Sequence, residues 1–284
     1  WCMPSLYTTL AHDWQLLHRP RLAAVEFLAV LAGDPPGRIV DVAAASGEYA
    51  AFLHQRGYET YAVDVNSEMC AVARQRHPGL AGVIHGDMLE VFDLVRGPLK
   101  LGYCIGGSLC ELGSVEEVSD VVAQLCDLSQ PGGCVVIEGP NFDHLQSQVR
   151  RLRAETSQVD PGDVRYGQLE DDQHPQGSPN MGSISDRELR LFLSPVSAYR
   201  EDGSELHFEQ EYIWRGVDVP VLGWRFTAPE GEVAGELPLL ELGRAQLATA
   251  VPGGFSVRWF GDWDGSDWDE QSAHTIAVLR ESAN

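Results

Sequence analysis

Three aspartates, Asp41, Asp64 and Asp87, each follow a short apolar run, which is the first chemical signal in the chain. A carboxylate at the end of a buried strand can accept hydroxyl or amide hydrogens from a polar ligand, and such bonds contribute roughly 1.5–3 kcal/mol each. Between the first two acids lies Ala43-Ala44-Ala45-Ser46-Gly47, whose side chains are too small to keep a ligand from the backbone. Asp64 falls about twenty residues past that turn, where an acid can accept both ribose hydroxyls of a nucleoside. Asp87, with the Met88 amide, is placed to read the edge of a base. Each acid alone could be a helix cap or a loop acid. All three at the same point of successive segments form a pattern suited to a nucleoside.

The elements that would position these acids alternate between strand and helix. Arg38 to Ala43 reads as a buried strand, and the helix from about Gly47 to Arg56 would turn its free amides toward whatever lies over the turn. A strand from Glu59 to Val63 precedes Asp64, and a helix from Ser67 to Arg76 follows it. Next come a strand from Gly82 to His85, one from Leu99 to Ile105, a helix from Val115 to Leu128, the turn Pro131-Gly132-Gly133 and a strand from Cys134 to Glu138. This alternation predicts an α/β fold, a doubly wound, mostly parallel sheet with helices on both faces and ligands at the carboxyl ends of its strands.

Flanking segments read differently. Residues 1–32 form an N-terminal helical cover of two helices broken near Arg19-Pro20, with aromatics at Tyr7 and Trp14. The core is expected over 33–145 and 234–284, and an insertion over 146–233. The insertion begins with a helix and the polar stretch Thr156 to Gly182, which reads as a loop. Alternating apolar and polar residues around Glu201-Asp202-Gly203 then predict antiparallel strands, a small sheet on the substrate side or a dimerisation sheet. Glu236 to Ala250, with leucines at 237, 239, 240, 242 and 247, reads as a core helix.

Composition excludes several function classes. Of 284 residues, 42 are acidic and 20 basic, a formal charge of -22, and such a surface repels phosphate backbones and anionic membranes. The local cluster Arg150, Arg151 and Arg153 reads as a solvated helix end. Lys100 is the sole lysine. Six scattered cysteines without C-x-x-C spacing suggest core residues in a reducing cytosol, and His54, His77 and His85 lack metal-ligand spacing, so no metal is expected. No apolar run reaches the roughly 20 residues that span a bilayer and no signal peptide is visible, so a cytoplasmic monomer or homodimer is expected.

The motifs become specific in combination. VDVAAASGEYA (40–50), YAVDVNSEM (61–69), HGDM (85–88), LGYCIGGSLCEL (101–112) and QPGGCVVIEGPNFD (130–143), in that order, resemble the class I S-adenosylmethionine-dependent methyltransferases. More narrowly, the chain resembles the small-molecule branch akin to glycine, sarcosine and amino-sugar N-methyltransferases. LYTTLAHDW (6–14) is similar to that branch's aromatic entry segment, and GGFSVRWFGDWDG (253–265) with SAHTIAVLRE (272–281) to its closing antiparallel strand pair. The resemblance covers about 5–145 and 236–281.

That resemblance implies a Rossmann-like sheet of seven strands with an antiparallel last strand, S-adenosylmethionine as cofactor, and methyl transfer to a small-molecule acceptor, an amine nitrogen before oxygen or carbon. It would place Asp41, Ala43, Ala45 and Gly47 at the turn under the methionine half, Asp64 and Val65 at the ribose, and Asp87 and Met88 at adenine. Ile105, Gly106 and Ser108 would line the side from which the methyl leaves, with Tyr7 and Trp14 contributed by the cover. Ala45 departs from the family's glycine, and its small neighbours suggest an alanine-compatible turn. The sulfonium methyl is already electrophilic, so no dedicated catalytic motif is expected. His12, Asn141, His144 and Tyr166 are the candidates for accepting an amine proton. A non-catalytic nucleoside-binding protein of the same fold is the alternative. A nicotinamide dehydrogenase is disfavoured, because of the G-x-G-x-x-G glycines only Gly47 is present.

Overall fold

The structure, a computed structural model, describes residues 6–156, 167–168, 181–184, 188–215 and 220–282. The chain divides into two compact units, Trp1–Pro140 with Leu242–Asn284, and Asn141–Glu241.

The first unit is built on a seven-stranded sheet. β1 (Arg38–Val42) pairs in parallel with β2 (Glu59–Asp64) on one side and β4 (Leu99–Cys104) on the other. β3 (Gly82–His85) extends the sheet beyond β2, and β5 (Ser129–Pro140) beyond β4, again in parallel. The strand His274–Glu281 runs antiparallel against β5, and Phe255–Phe260 antiparallel against His274–Glu281. Ile39, Val40 and Val42 are fully buried, as a central strand covered on both faces requires. The chain leaves β1 toward β2 and β3, then returns to the far side of β1 for β4, so the strand order reverses between β1 and β4. Ligands of open α/β sheets bind at the carboxyl ends of strands flanking such a point.

Helices α4 (Glu48–Gln55) and α5 (Ser67–Arg76) connect these strands. Asn66 caps α5, its Oδ1 accepting the Glu68 and Met69 amides at 3.0 Å each, and Arg74 and Arg76 stand in the last turn, where cations complement the helix dipole. The helix Val115–Leu128 buries Val118, Val121, Val122 and Leu125, an i, i+3, i+4, i+7 stripe facing the sheet.

Three expectations change. The N-terminal segment forms three helices, α1 (Leu6–Leu10), α2 (Trp14–Leu17) and α3 (Leu22–Ala32). Beside the break near Pro20 there is a tight turn at Ala11–Asp13, where the Asp13 amide donates to Leu10 O at 2.9 Å and Ala11 is buried against Met69 and Val72. Pro131-Gly132-Gly133 lies within β5, as an irregularity between the pairs Leu99/Ser129 and Leu101/Cys134. Finally, Gly231–Pro238 is a strand, and the helix spans only Arg244–Thr249. Pro238 has no amide hydrogen for a helix interior, and the alternating burial of Gly231–Pro238 has the period of a strand.

The second unit comprises the helix Phe142–Thr156 and an antiparallel sheet. The sheet runs in the order Gly231–Pro238, Val221–Ala228, Glu205–Arg215, Glu188–Phe192, Met181–Ile184, Gly167–Gln168, with Val196–Tyr199 also on Glu205–Arg215. The hairpin turn expected at Glu201-Asp202-Gly203 is present, with Gly203 at φ 84° and Asp202 Oδ1 accepting the Ser204 amide at 2.9 Å. Cross-strand pairs Arg190–Glu211, Arg215–Glu188 and Arg225–Glu232 decorate the sheet. Most of the polar stretch from Thr156 to Gly182 lies outside the described residues. Among the described residues, no helix is long and apolar enough to cross a membrane.

Candidate active site

The turn after β1 is held in an unusual conformation. Ala43 and Ala45 have φ of 57° and 48°, and Gly47 follows at 81°. The expected alanine-compatible backbone is not what forms: position 45 keeps the left-handed conformation that favours glycine, and so does Ala43. Each such residue costs roughly 1–2 kcal/mol, so surrounding contacts must impose the shape. The Ala45 amide donates to Asp64 Oδ2 at 2.7 Å, the Ala44 amide to Val63 O at 3.0 Å and the Gly47 amide to Ala44 O at 2.8 Å. The Ala45 side chain packs with Ala11, Met69 and Val72, in the cluster that also takes in Tyr7 and Trp14. Below the turn, the buried Ser46 hydroxyl donates to Glu48 at 2.7 Å.

The three aspartates take three different positions. Asp64 is half-buried at the end of β2, and its Oδ1 accepts the Asn66 amide at 2.8 Å. Each of its oxygens thus holds one backbone N–H and keeps a further lone pair. Burial pushes its pKa up, against the Asn66 and Ala45 amides and His85, which pull it down. Beside it, Val65 is 62% exposed, an apolar surface on the rim. Asp41 is buried at 3% exposure opposite Tyr103, its register partner on β4. Burial raises its pKa well above the carboxylate range, with Tyr103 and the Ala50 amide pulling the other way. It therefore supports the turn from beneath and does not reach the open edge. Asp87 is exposed and caps the short 3-10 turn Met88–Glu90, accepting the Leu89 amide at 2.9 Å, while Met88 is partly buried.

A fixed loop follows β4. Gly106 and Gly107 have φ of 82° and 79°, and the turn Ser108–Glu111 follows them. Glu138, buried near the end of β5, holds this loop: its Oε2 accepts the Gly106 amide at 2.6 Å and its carbonyl the Gly107 amide at 3.2 Å. His274 Nδ1 lies 2.7 Å from Glu138 Oε1, and Arg21 Nη1 contacts His274 Nε2. A guanidinium can only donate. Nε2 is therefore the acceptor in that contact, and Nδ1 faces the carboxylate. Burial alone would raise the Glu138 pKa, but His274, the Gly106 amide and Arg21 outweigh it and hold the carboxyl below its ordinary value.

The N-terminal cover is tied to the same edge. Tyr7 donates its hydroxyl to Glu111 Oε1, its ring lies 5.7 Å from that of Trp14, and Trp14 stacks on His18 at 3.8 Å. Asn66 Nδ2 donates to Thr8 Oγ1 at 2.9 Å, and Arg76 Nη2 to His12 O at 2.7 Å. Glu111 was not among the residues singled out from sequence, although it is the one acid in the run from Leu101 to Leu112. Burial pushes its carboxyl up to about 6 with help from Asp64, against the Tyr7 hydrogen bond. Its side chain is nevertheless open to solvent, a combination expected on the wall of a cleft.

The structure thus brings Tyr7, Trp14, Ala45 and Asp64 together, with Ile105, Gly106 and Ser108 on the adjacent loop. Of the proton-acceptor candidates, His12 is exposed and engaged through its carbonyl. Asn141 and His144 belong to the second unit, where Asn141 Oδ1 accepts the His144 amide at 3.2 Å. Tyr166 lies outside the described residues. Among the described residues, no group of three or more His, Cys, Asp or Glu is arranged to hold a metal.

Residues 39–133 match the methyltransferase domain family. No protein of curated function matches the chain in sequence. Among solved structures, the chain is similar to DesVI of Streptomyces venezuelae, with 16% identity over 99% of this chain and 100% of that one and a TM-score of 0.64. It is similar to S-adenosylmethionine-bound CalS10 from Micromonospora echinaspora, described as an amino pentose methyltransferase, with 16% identity, 98% and 92% coverage and a TM-score of 0.58. It is also similar to the sugar N-methyltransferase KedS8 from Streptoalloteichus, with 18% identity, 99% and 95% coverage and a TM-score of 0.52. At these identities the likeness shows a shared fold.

Proposed function

The chain carries a methyltransferase domain over residues 39–133, and from that premise we propose that it transfers a methyl group from S-adenosylmethionine to the amine nitrogen of a small molecule. The observation that carries this reading is the Asp64 carboxylate, anchored by two backbone amides beside a left-handed turn at the carboxyl edge.

The residues fit the cofactor. Asp64 keeps one lone pair on each oxygen for the two ribose hydroxyls, and the exposed Val65 offers an apolar rim beside it. A Cβ built on Gly106 would meet nothing within 4 Å, so the loop after β4 leaves open space on the side assigned to the methyl group. The methyl of Ala45 is engaged with Ala11, Met69 and Val72, so it packs into the protein beneath the cover.

When bound, S-adenosylmethionine supplies an electrophilic methyl on a sulfonium. The chain then has to orient and desolvate. Asp64 fixes the ribose, the cover bearing Tyr7 and Trp14 excludes water, and the loop clamped by Glu138 presents a surface for the acceptor. Holding nitrogen and methyl carbon about 3 Å apart and in line removes much of the entropic barrier. The amine acceptor is further supported by the formal charge of -22, which draws cations toward the chain, and by two structural neighbours described as acting on amino sugars or sugar nitrogen.

Calorimetry with S-adenosylmethionine and S-adenosylhomocysteine tests the reading. Binding of both is expected, and absence of binding at millimolar ligand would overturn it. Binding without turnover across an amine panel would instead point to a non-catalytic nucleoside-binding protein, a reading the two strained alanines favour.

A further inference from the structure

Resting on that reading, we propose that Glu111, held by the Tyr7 hydroxyl, is the residue that recognises the acceptor as an ammonium ion and takes up its proton before methyl transfer. Three features of the geometry assign this role. Glu111 ends the turn Ser108–Glu111 that follows β4, the strand beside β1 at the point where the strand order reverses. It is bonded across to the N-terminal cover through Tyr7, so it joins the two segments between which an acceptor would enter. It is open to solvent and tied to the cover, whereas the other acids at this edge are committed elsewhere: Asp41 is buried, Asp64 carries two backbone amides, the exposed Asp87 caps the Leu89 amide, and Glu138 carries His274 and Gly106.

The electrostatics suit the task. A carboxylate that must attract a cation and then accept its proton works best with a pKa near the working pH. The groups facing Glu111 are Tyr7 from α1, Asp64 from the end of β2, and the thiols Cys104 and Cys110 of its own segment. Burial and the Asp64 charge push the carboxyl up to about 6, and the Tyr7 hydrogen bond limits that rise. Above this value Glu111 is ionised and pairs with the ammonium.

The step balances without a further reactant. An N–H bond of the ammonium breaks, its pair stays on nitrogen, and the proton forms an O–H bond on Glu111. The nitrogen's pair then bonds the sulfonium methyl carbon, and the carbon–sulfur pair remains on sulfur. The product leaves as the methylated ammonium, and Glu111 returns its proton to water.

The test uses the full chain saturated with S-adenosylhomocysteine. Three probe pairs, 2-aminoethanol with ethylene glycol, glucosamine with glucose, and benzylamine with benzyl alcohol, are titrated by calorimetry between pH 5 and 8. The Glu111 carboxyl is followed by carbon-13 NMR. Wild type is expected to prefer the amine at least tenfold in one pair or more at pH 8, and to lose that preference as the pH falls through about 6. Glu111→Gln should abolish the preference while changing S-adenosylhomocysteine affinity less than twofold. Tyr7→Phe should move the carboxyl midpoint upward, because the hydrogen bond that lowers it is gone, and a bound amine should move it downward. Equal binding of amine and alcohol in all three pairs, retention of the preference by Glu111→Gln, or a carboxyl midpoint that neither Tyr7→Phe nor the amines displace would each overturn the proposal. Failure of wild type to bind S-adenosylhomocysteine would overturn the methyltransferase reading, a distinct outcome.

Discussion

The Ala45 amide donates to Asp64 Oδ2 at 2.7 Å, so the acid proposed to bind the ribose is also the group that shapes the turn on the neighbouring strand. Ligand affinity and local stability are therefore coupled at one carboxylate.

Asp64→Asn keeps one acceptor oxygen and loses the charge. S-adenosylhomocysteine affinity should fall by about 1.5–3 kcal/mol, the loss of charge-assisted bonds. Asp64→Ala should add a stability loss of about 2 kcal/mol, because the Ala45 and Asn66 amides lose their acceptor. Calorimetry and urea unfolding read the two effects separately. A ribose role without a turn role would leave the unfolding midpoint unchanged.

Glycine should relieve the strained turn. At φ 57°, Ala43 carries roughly 1–2 kcal/mol of left-handed strain, while glycine adds about 0.5–1 kcal/mol of unfolded-state entropy. Ala43→Gly is expected to stabilise by about 0.5–1 kcal/mol. Ala45→Gly should gain less, because its methyl packs with Ala11, Met69 and Val72. Denaturant midpoints of the two variants decide the order.

Two buried carboxylates should respond to pH in opposite directions. The folded pKa of Glu138 lies below its ordinary value, so its contribution is present above about 4.3 and fades as the pH falls through the folded value. The folded pKa of Asp41 lies well above its ordinary value, so its contribution is present below about 3.9 and fades as the pH rises. Glu138→Gln should therefore destabilise more at pH 7 than at pH 3.5. Asp41→Asn should be better tolerated, relative to wild type, at pH 7 than at pH 3.5. Unfolding curves at the two pH values, with parallel behaviour of both variants, would refute the assignment.

The five described cysteines are buried and free. Burial pushes the Cys104 and Cys110 thiols up, Cys126 to about 12 and Cys134 to about 11. Because the thiolate is the reactive form, iodoacetamide at pH 8 should leave these positions unmodified in the native chain and alkylate them in urea, as peptide mass spectrometry would show.

Much of the core was legible because its signals are local. The apolar runs before Asp41, Asp64 and Asp87 specify buried strands, and α5 spans Ser67–Arg76 as its pattern requires. The break at Ala11–Asp13 and the strand Gly231–Pro238 escaped, because tertiary packing in one case and a partner strand in the other decided between patterns that short segments leave open. At the site, residue type gave Asp64 but could not separate it from Asp41 and Asp87. Burial made Asp41 a support, and a free Leu89 amide made Asp87 a cap. Glu111 was missed because its partner, Tyr7, stands 104 positions away, and no periodicity links two such residues. The left-handed backbone at Ala43 was not legible, because it is a property of the turn, not of alanine.

The contact of Arg21 with His274 joins residues 253 positions apart, and through Glu138 it fixes the loop that carries Glu111. Gly106, Glu138, His274 and Arg21 thus form one continuous relay of contacts across three distant stretches of sequence, so that a change at the start of α3 can reach the loop after β4 without touching it.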